Sequence, residues 1–192
     1  AFQSRLKIPI LIGIDAIHGN ALVSGTTVYP SPISLASTWS DSFLYDVGKQ
    51  SAKEMRATGS HWAFTPNIDV LRDPRWGRVG ETFGEDPFMV GNMGAAMING
   101  FQQGDFSGTE KVIACAKHMI AGGEPVNGLN AAPMDVSLRT LKEVHLKPYK
   151  KAIDAGVYSI MAAHNELNGV PCHMNSWLMT DLFRNQWGFK GF

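Results

Sequence analysis

Short apolar runs alternate with longer amphipathic runs along the chain. The short runs carry no regular polar alternation, which is typical of strands that are buried on both faces. We predict strands over five of them: "IPILIGID" (8–15), "HWAFTPNID" (61–69), "KVIACAKH" (111–118), "VYSIMAAHN" (157–165) and the final "FKGF" (189–192).

The longer runs place apolar residues three and four positions apart, which predicts helices with one buried face. The predicted helices run from Ser40 to Gly59, from Asp86 to Phe101, from Ser137 to Gly156 and from Asn175 to Gly188. The first residue of each span has a side chain that can cap the first turn, and a glycine ends three of the spans. Pro148 lies inside the third span and is predicted to kink or split that helix.

This order of strands and helices predicts right-handed crossovers and a parallel sheet. Two α/β architectures fit: an open doubly wound sheet, or part of a (β/α)8 TIM-type barrel. An open nucleotide-binding sheet usually has a glycine-rich turn after its first strand. Here the turn reads "GIDAIHGN", with neither G-x-G-x-x-G nor a phosphate-loop lysine. The pattern therefore favours a partial barrel.

Composition narrows the possible partners. The chain has 192 residues, with 17 Lys and Arg against 17 Asp and Glu. Such a balance provides no electrostatic footprint, so we expect neither nucleic acid nor a membrane as a partner. No apolar run approaches the roughly 20 residues of a membrane span, and the first residues show no signal-peptide pattern. Cys115 and Cys172 fit no metal spacing and are predicted to be buried thiols.

Polar residues follow four of the predicted strands, at the edge of the sheet where ligands bind in such folds. In chain order they are Asp15 and His18, then Asn67 and Asp69, then Lys117 and His118, and finally His164, Asn165 and Glu166. Carboxylates accept hydrogen bonds from hydroxyl groups, whereas Lys and Arg donate to hydroxyl and ring oxygens. Together they predict a rim that binds a polar, neutral ligand rich in hydroxyl groups.

The Lys117-His118 pair carries the strongest signal. A lysine directly after a buried strand needs an ion pair or a wet cleft. Successive residues on a regular strand point to opposite faces, so both side chains can reach one ligand only where the backbone is irregular. We therefore predict a backbone irregularity at these two residues, and a cis non-proline peptide bond is one form that it can take.

The segment "RDPRWGR" (72–78) follows the second strand and mixes cations with acids. Arg78 comes after a glycine that lets the backbone approach a ligand, and we predict a ligand contact for it. Arg72 or Arg75 is predicted to stabilise the loop by pairing with Asp69 or Asp73.

Aromatic and acidic residues near this segment allow two interpretations. Trp62, Trp76 and Phe83 could provide apolar faces against which a sugar ring packs, although Trp76 also fits a structural plug beneath the loop. The carboxylates of "GETFGEDP" (80–87) are interpreted as helix-start residues that the helix dipole favours.

The histidines argue against a metal site. None of the six histidines forms an H-x-x-x-H or H-x-H pair, and the two cysteines supply no zinc corner. We expect no metal and no other cofactor.

Long stretches of the chain resemble the N-terminal barrel domain of glycoside hydrolase family 3, the β-glucosidase and β-xylosidase family. The resemblance covers nearly the whole chain, and its most specific part is "TPNIDVLRDPRWGRVGETFGEDP" (65–87). It continues through "CAKHMIAGG" (115–123), "SIMAAHNELNGVPCH" (159–173) and "LFRNQWGFKGF" (182–192).

The resemblance implies a site and a reaction. It implies that Asp15, Arg78, Lys117 and His118 bind the sugar that is transferred, with Met161 or His164 on the wall of the same subsite. It also implies a retaining mechanism, in which one carboxylate attacks the anomeric carbon and another protonates the leaving oxygen.

In this family the nucleophilic aspartate follows the "GF.GF" pattern within a few residues, and the acid/base carboxylate comes from a later domain. The resemblance therefore implies that residues 1–192 are a fragment of the barrel domain, incomplete at both ends and without the second, α/β sandwich domain. No catalytic residue is expected within the chain. We expect the isolated chain to be inactive and to oligomerise through exposed barrel edges.

The expected function is hydrolysis of terminal β-glucosyl or related residues by the whole protein. The substrate would be a β-linked oligosaccharide or glycoside, and the resemblance implies a periplasmic or secreted location. An alternative is a non-catalytic sugar-binding or interaction protein derived from the barrel. A nucleotide-binding domain is a third possibility, which the missing phosphate loop disfavours.

Overall fold

The computed structural model describes residues 5–104 and 106–192. Its main sheet has four parallel strands: β1 (Gly13–Ile14), β2 (Trp62–Ala63), β3 (Ile113–Met119) and β4 (Ser159–Ala162). Their order in space is β1-β2-β3-β4, the same as in the chain. A doubly wound sheet reverses its strand order at a switch point, whereas consecutive parallel neighbours form the wall of a (β/α)8 barrel. The sheet is thus part of such a barrel, as predicted.

Helices connect the strands and cover one face of the sheet. They are α1 (Pro32–Ala36), α2 (Asp41–Ala57), α3 (Pro87–Gln102), α4 (Leu138–Thr140) and α5 (Leu146–Asp154), with π-helical segments at Leu141–His145 and Trp177–Gln186. Short 3₁₀ turns lie at Val79–Glu81, Val126–Gly128 and Cys172–Met174. A small antiparallel hairpin of β5 (Glu166–Leu167) and β6 (Val170–Pro171) follows β4.

The predicted helix starts are confirmed. The Ser40 hydroxyl accepts a hydrogen bond from the Phe43 amide at 3.2 Å, and the Asp86 carboxylate accepts one from Met89 at 2.8 Å. Asn175 does the same for the amide of Leu178 at 3.1 Å. These side chains satisfy amide groups that have no carbonyl partner in the first helical turn.

The irregularity predicted at Pro148 lies one turn earlier. Residues Leu141–His145 form a π-helical turn, and α5 then runs through Pro148 without a break. Proline lacks the amide that would bond to the carbonyl four residues before it. The wider turn on its N-terminal side accommodates this missing bond, so the helix is neither split nor stopped.

The first predicted strand is only partly correct. Only Gly13–Ile14 pairs with β2, and the preceding apolar side chains are exposed, Ile8 by 61% and Ile10 by 70%. The prediction that this run is buried on both faces is wrong. β1 is an edge strand in the described sheet, with β2 as its one neighbour, and burial of an edge depends on what packs beyond it.

The last predicted strand does pair with its neighbour. The amide of Ile160 donates to the carbonyl of Phe192 at 2.9 Å, and the amide of Phe192 donates to the carbonyl of Tyr158 at 3.1 Å. This alternation is the hydrogen-bonding pattern of parallel strands. The segment that ends in Phe192 therefore extends the sheet beyond β4.

Strand register separates two faces of the sheet. Lys117 is paired with Met161 and Cys115 with Ser159, so these four side chains share one face. The opposite face carries small residues such as Ala114 and Ala116, which are fully buried where α3 packs against β3. The polar and sulfur-containing side chains thus face the barrel interior, and alanines allow the helices to approach closely.

Two glycines bring α2 and α3 into close contact. A Cβ atom added at Gly48 would lie 2.6 Å from the Met97 carbonyl oxygen, and one added at Gly100 would lie 2.2 Å from the Tyr45 carbonyl oxygen. The backbones therefore meet without intervening side chains. Among the helices of residues 5–104 and 106–192, none combines the length and apolar character needed to cross a membrane.

Candidate functional site

The carboxyl ends of the first three strands bring ionisable side chains together. Asp15 follows β1, Asp69 follows β2 after a short extended segment, and Lys117 and His118 lie near the end of β3. Asn67 forms a bridge with Lys117 that continues the pairing of these two segments. The site therefore lies where a parallel barrel binds its ligands.

Lys117 is buried and ion-paired. Its side chain is 3% exposed, and Nζ donates to Asp15 Oδ1 at 2.8 Å. The Asp15 side chain is 58% exposed. The pair thus presents the Asp15 carboxylate to the open side of the site and keeps the Lys117 ammonium group behind it. Asp15 provides the partner that the buried charge of Lys117 requires.

His118 is held by Asp69, whose side chain is fully buried. The His118 ring Nδ1 lies 2.9 Å from Asp69 Oδ2, and the His118 backbone amide donates to the same oxygen at 3.3 Å. The amide of Gly122 donates to Asp69 Oδ1 at 3.1 Å. Since an ionised carboxylate only accepts, all three contacts are donated to Asp69.

Arg78 closes the other side of the imidazole. Its Nη1 lies 3.0 Å from His118 Nε2. Its Nε and Nη2 atoms donate to the two carboxylate oxygens of Glu81 at 2.9 and 2.6 Å, a bidentate pair. The guanidinium carbon also lies over the ring of Trp76, 5.9 Å from the ring centroid, which is within the range of a cation–π contact.

The electrostatics of these residues are coupled. Burial alone would lower the pKa of Arg78, but its bonds to Glu81 and the charges of Asp69 and Asp15 raise it. Burial likewise would raise the pKa of Glu81, but Arg78 and the charge of Lys117 hold it below its ordinary value. These mutual effects place both ion pairs in one charged cluster.

The peptide bond between Lys117 and His118 is cis, which confirms the predicted backbone irregularity at this point. A second non-proline cis bond, Met119-Ile120, and a cis Thr65-Pro66 bond lie nearby, and neither was predicted. The proline in the sequence is a signal for the Thr65-Pro66 bond, but the sequence carries no comparable signal for the Met119-Ile120 bond.

Met161 and His164 differ in their relation to the cluster. Met161 is the cross-strand neighbour of Lys117 and is half-buried on the same sheet face. His164 is exposed beyond the end of β4, and its ring centroid lies 5.8 Å from that of His173. Met161 therefore lies beside the cluster, whereas the ring of His164 faces His173, which follows the β5–β6 hairpin.

Two interpretations of the loop after β2 need correction. Trp76 and Phe83 are buried, by contrast with the exposed faces that a sugar ring would need. Trp76 instead donates from Nε1 to Asn130 Oδ1 at 3.1 Å, which fits the structural plug. Glu81 is not a helix-start carboxylate but the partner of Arg78, and only Asp86 caps the helix.

The predicted loop ion pair is present between Arg75 and Asp73. Their closest atoms are 2.7 Å apart, and hydrogen bonds from Arg75 lower the pKa of Asp73 to about 2. Arg72 lies 3.8 Å from Glu124 instead. Asp69 takes part in neither pair because it is occupied by His118.

The cluster is suited to binding hydroxyl groups rather than to attacking a carbon atom. Each of its carboxylates is already paired: Asp15 with Lys117, Asp69 with His118, and Glu81 with Arg78. Within the part of the chain that the structure describes, no group of three or more His, Cys, Asp or Glu side chains is placed to hold a metal ion.

Comparison with known proteins gives consistent matches over this chain. The pattern described as "Glycosyl hydrolase family 3 N terminal domain" matches residues 1–192. A protein named β-xylosidase from Formosa agariphila is 44% identical, covering 99% of this chain and 27% of that relative. A periplasmic β-glucosidase from Salmonella typhimurium is 38% identical, covering 98% of this chain and 24% of the relative.

Solved structures give the same result. A variant β-glucosidase from Listeria innocua, in complex with laminaribiose, superposes with a TM-score of 0.92 at 38% sequence identity. The match covers 98% of this chain and 26% of that one. The chain therefore spans about a quarter of the length of the relatives that it matches.

Proposed function

The chain belongs to glycoside hydrolase family 3, whose N-terminal domain it matches, and we propose from this that the whole protein is a retaining β-glycosidase. Its substrates would be β-glucosides, β-xylosides or short β-linked oligosaccharides. The names of the two relatives and the disaccharide in the Listeria structure support this substrate class. We also propose a periplasmic or secreted location, which the name of the Salmonella relative supports.

The observation that carries the proposal is the cluster around Lys117. Asp15, Arg78, Lys117 and His118 come from three different segments and form two ion-paired or hydrogen-bonded pairs at one end of the sheet. A neutral sugar presents several hydroxyl groups that both donate and accept. Fixed acceptors and donors of this kind bind hydroxyl groups more strongly where charge develops in the transition state.

We assign these four residues to substrate binding, with Met161 on the adjacent wall and His164 at its periphery. Retaining glycosidases use two carboxylates about 5–5.5 Å apart, one as nucleophile and one as acid/base. Because the carboxylates of the cluster are all paired, we propose that this catalytic pair comes from parts of the protein outside residues 1–192.

The first experiment measures hydrolysis of aryl β-glucoside and aryl β-xyloside by the whole protein. Proton NMR of the first-formed sugar then reports the anomer, and we expect retention of the β configuration. An inverted product would contradict the proposed mechanism. Binding of sugars without any turnover would favour the alternative of a non-catalytic sugar-binding protein.

The second experiment replaces Lys117 by methionine, which keeps most of the length of the unbranched side chain and removes its charge. Because a hydrogen bond to a charged group contributes more free energy than one between neutral groups, we expect kcat/KM to fall by about 10- to 100-fold or more. Lys53→Met is the matched control, since Lys53 lies on α2, away from the site, and forms an exposed ion pair with Glu110. Equal activity of both variants would refute the role of Lys117.

A further inference from the structure

Asp69 has the geometry of a residue that acts on the ligand through His118. Its carboxylate is fully buried and accepts three N–H groups, two of them from His118. At Gly122 an added Cβ would lie 2.9–3.1 Å from the Asp69 carboxylate atoms. A glycine at this position therefore lets the backbone amide reach the carboxylate, so that N–H groups surround both oxygens of Asp69.

The two contacts of the imidazole ring define where its proton lies. Asp69 can only accept, so the proton lies on His118 Nδ1. Arg78 can only donate, so His118 Nε2 must present its lone pair to Nη1 at 3.0 Å. A proton on Nε2 would direct two N–H groups at each other.

On this basis we propose that Asp69 is a positioning residue, which fixes His118 as the neutral tautomer that is protonated on Nδ1. His118 Nε2 is then an acceptor, not a donor, and its lone pair faces Arg78 Nη1 at 3.0 Å. A sugar that displaces this contact meets the acceptor with a hydroxyl group that donates. The proposal rests on the proposed function for its effect on hydrolysis, but the position of the proton does not depend on that function.

Neutron diffraction of deuterium-exchanged crystals of the whole protein tests the proton directly. We expect density for deuterium on His118 Nδ1 and none on Nε2. Deuterium on Nε2, alone or together with Nδ1, would overturn the proposal. This measurement needs no variant and no activity, so it decides the question even if the proposed hydrolysis is not found or a substituted protein fails to fold.

Kinetics of a double-mutant cycle test whether Asp69 acts through His118. Asp69→Asn cannot accept on both sides of its side chain, because its amide nitrogen donates. We expect kcat/KM to fall by about 10- to 100-fold in the otherwise unchanged protein. In a His118→Gln background, which removes the ring Nδ1, we expect Asp69→Asn to cost less than about threefold.

The matched control is Asp73→Asn, which removes a carboxylate from the same loop without contact to His118. We expect its kcat/KM to stay within about twofold of the unchanged protein. An equal loss from Asp69→Asn in both backgrounds would show that Asp69 only supports the fold and would overturn the proposal. Absence of any glycoside hydrolysis by the unchanged protein would instead refute the proposed function and leave the neutron result to decide.

Discussion

Arg78 illustrates how a single residue serves several contacts at once. Its planar guanidinium donates to both oxygens of Glu81 and to the ring of His118, and it lies over Trp76. Lysine has the same charge but a single donor atom, so it cannot reproduce this fork. The identity of the residue, not only its charge, therefore matters at this position.

We predict that Arg78→Lys lowers the kcat/KM of the whole protein by about 10- to 100-fold, because one ammonium nitrogen cannot occupy the positions of Nε, Nη1 and Nη2 at once. Initial-rate kinetics on an aryl β-glycoside provide the measurement. Arg75→Lys is the control, since Arg75 pairs with Asp73 at the exposed surface. Similar kinetics for the two variants would show that Arg78 plays no special role in binding.

Some of these contacts could be inferred from the sequence and others could not. Lys117 was predictable because a lysine at the end of a buried strand requires a partner. Its partner Asp15 lies 102 positions earlier. The sequence predicts that Asp15 belongs to the polar rim of the sheet, but it does not predict that Asp15 forms the ion pair with Lys117. The pairing of Glu81 with Arg78 was missed because its sequence context also fits the start of a helix.

At the scale of elements, the contact between α2 and α3 depends on backbone atoms. Gly48 and Gly100 face the partner helix, and their missing side chains set the distance between the two helices. Helix starts were predictable because capping is local and depends on one side chain. The crossing of two helices was not, since it depends on which glycines meet in space.

We predict that Gly100→Ala destabilises the protein by about 1–3 kcal/mol, because the new Cβ would lie 2.2 Å from the Tyr45 carbonyl oxygen and force the helices apart. The free energy of unfolding from urea titration is the measurement. Gly80→Ala is the control, as nothing lies within 4 Å of its added Cβ, and we expect a change within about 0.5 kcal/mol. Equal stability of both variants would rule out a close backbone contact.

At the scale of the molecule, β1 lies at an edge of the main sheet, with β2 as its one strand neighbour among the described residues. The apolar run before β1 is exposed at Leu6, Ile8, Ile10 and Ile12. The strands of the main sheet and their parallel arrangement could be predicted from local patterns, but the hairpin of β5 and β6 and the exposure of this run could not. Burial of an edge strand is a property of the neighbours that it meets, and these are not encoded in the strand itself.

We predict that residues 1–192 associate with one another when they are produced alone, since an apolar edge strand pairs readily with another copy. Sedimentation equilibrium gives the mass of the species in solution. Replacing Ile10 and Ile12 by lysine should reduce the association, because charges on an edge oppose strand pairing. A monomer at all concentrations, without these substitutions, would contradict the prediction.

In the proposed function, one sugar is held by Asp15, Arg78, Lys117 and His118 together. A crystal structure of the whole protein with bound glucose or xylose tests this claim most directly. We predict that hydroxyl oxygens of the sugar lie within hydrogen-bonding distance, about 2.6–3.2 Å, of polar atoms on all four side chains. An ordered sugar that binds elsewhere, with the four side chains still paired only to one another, would contradict it.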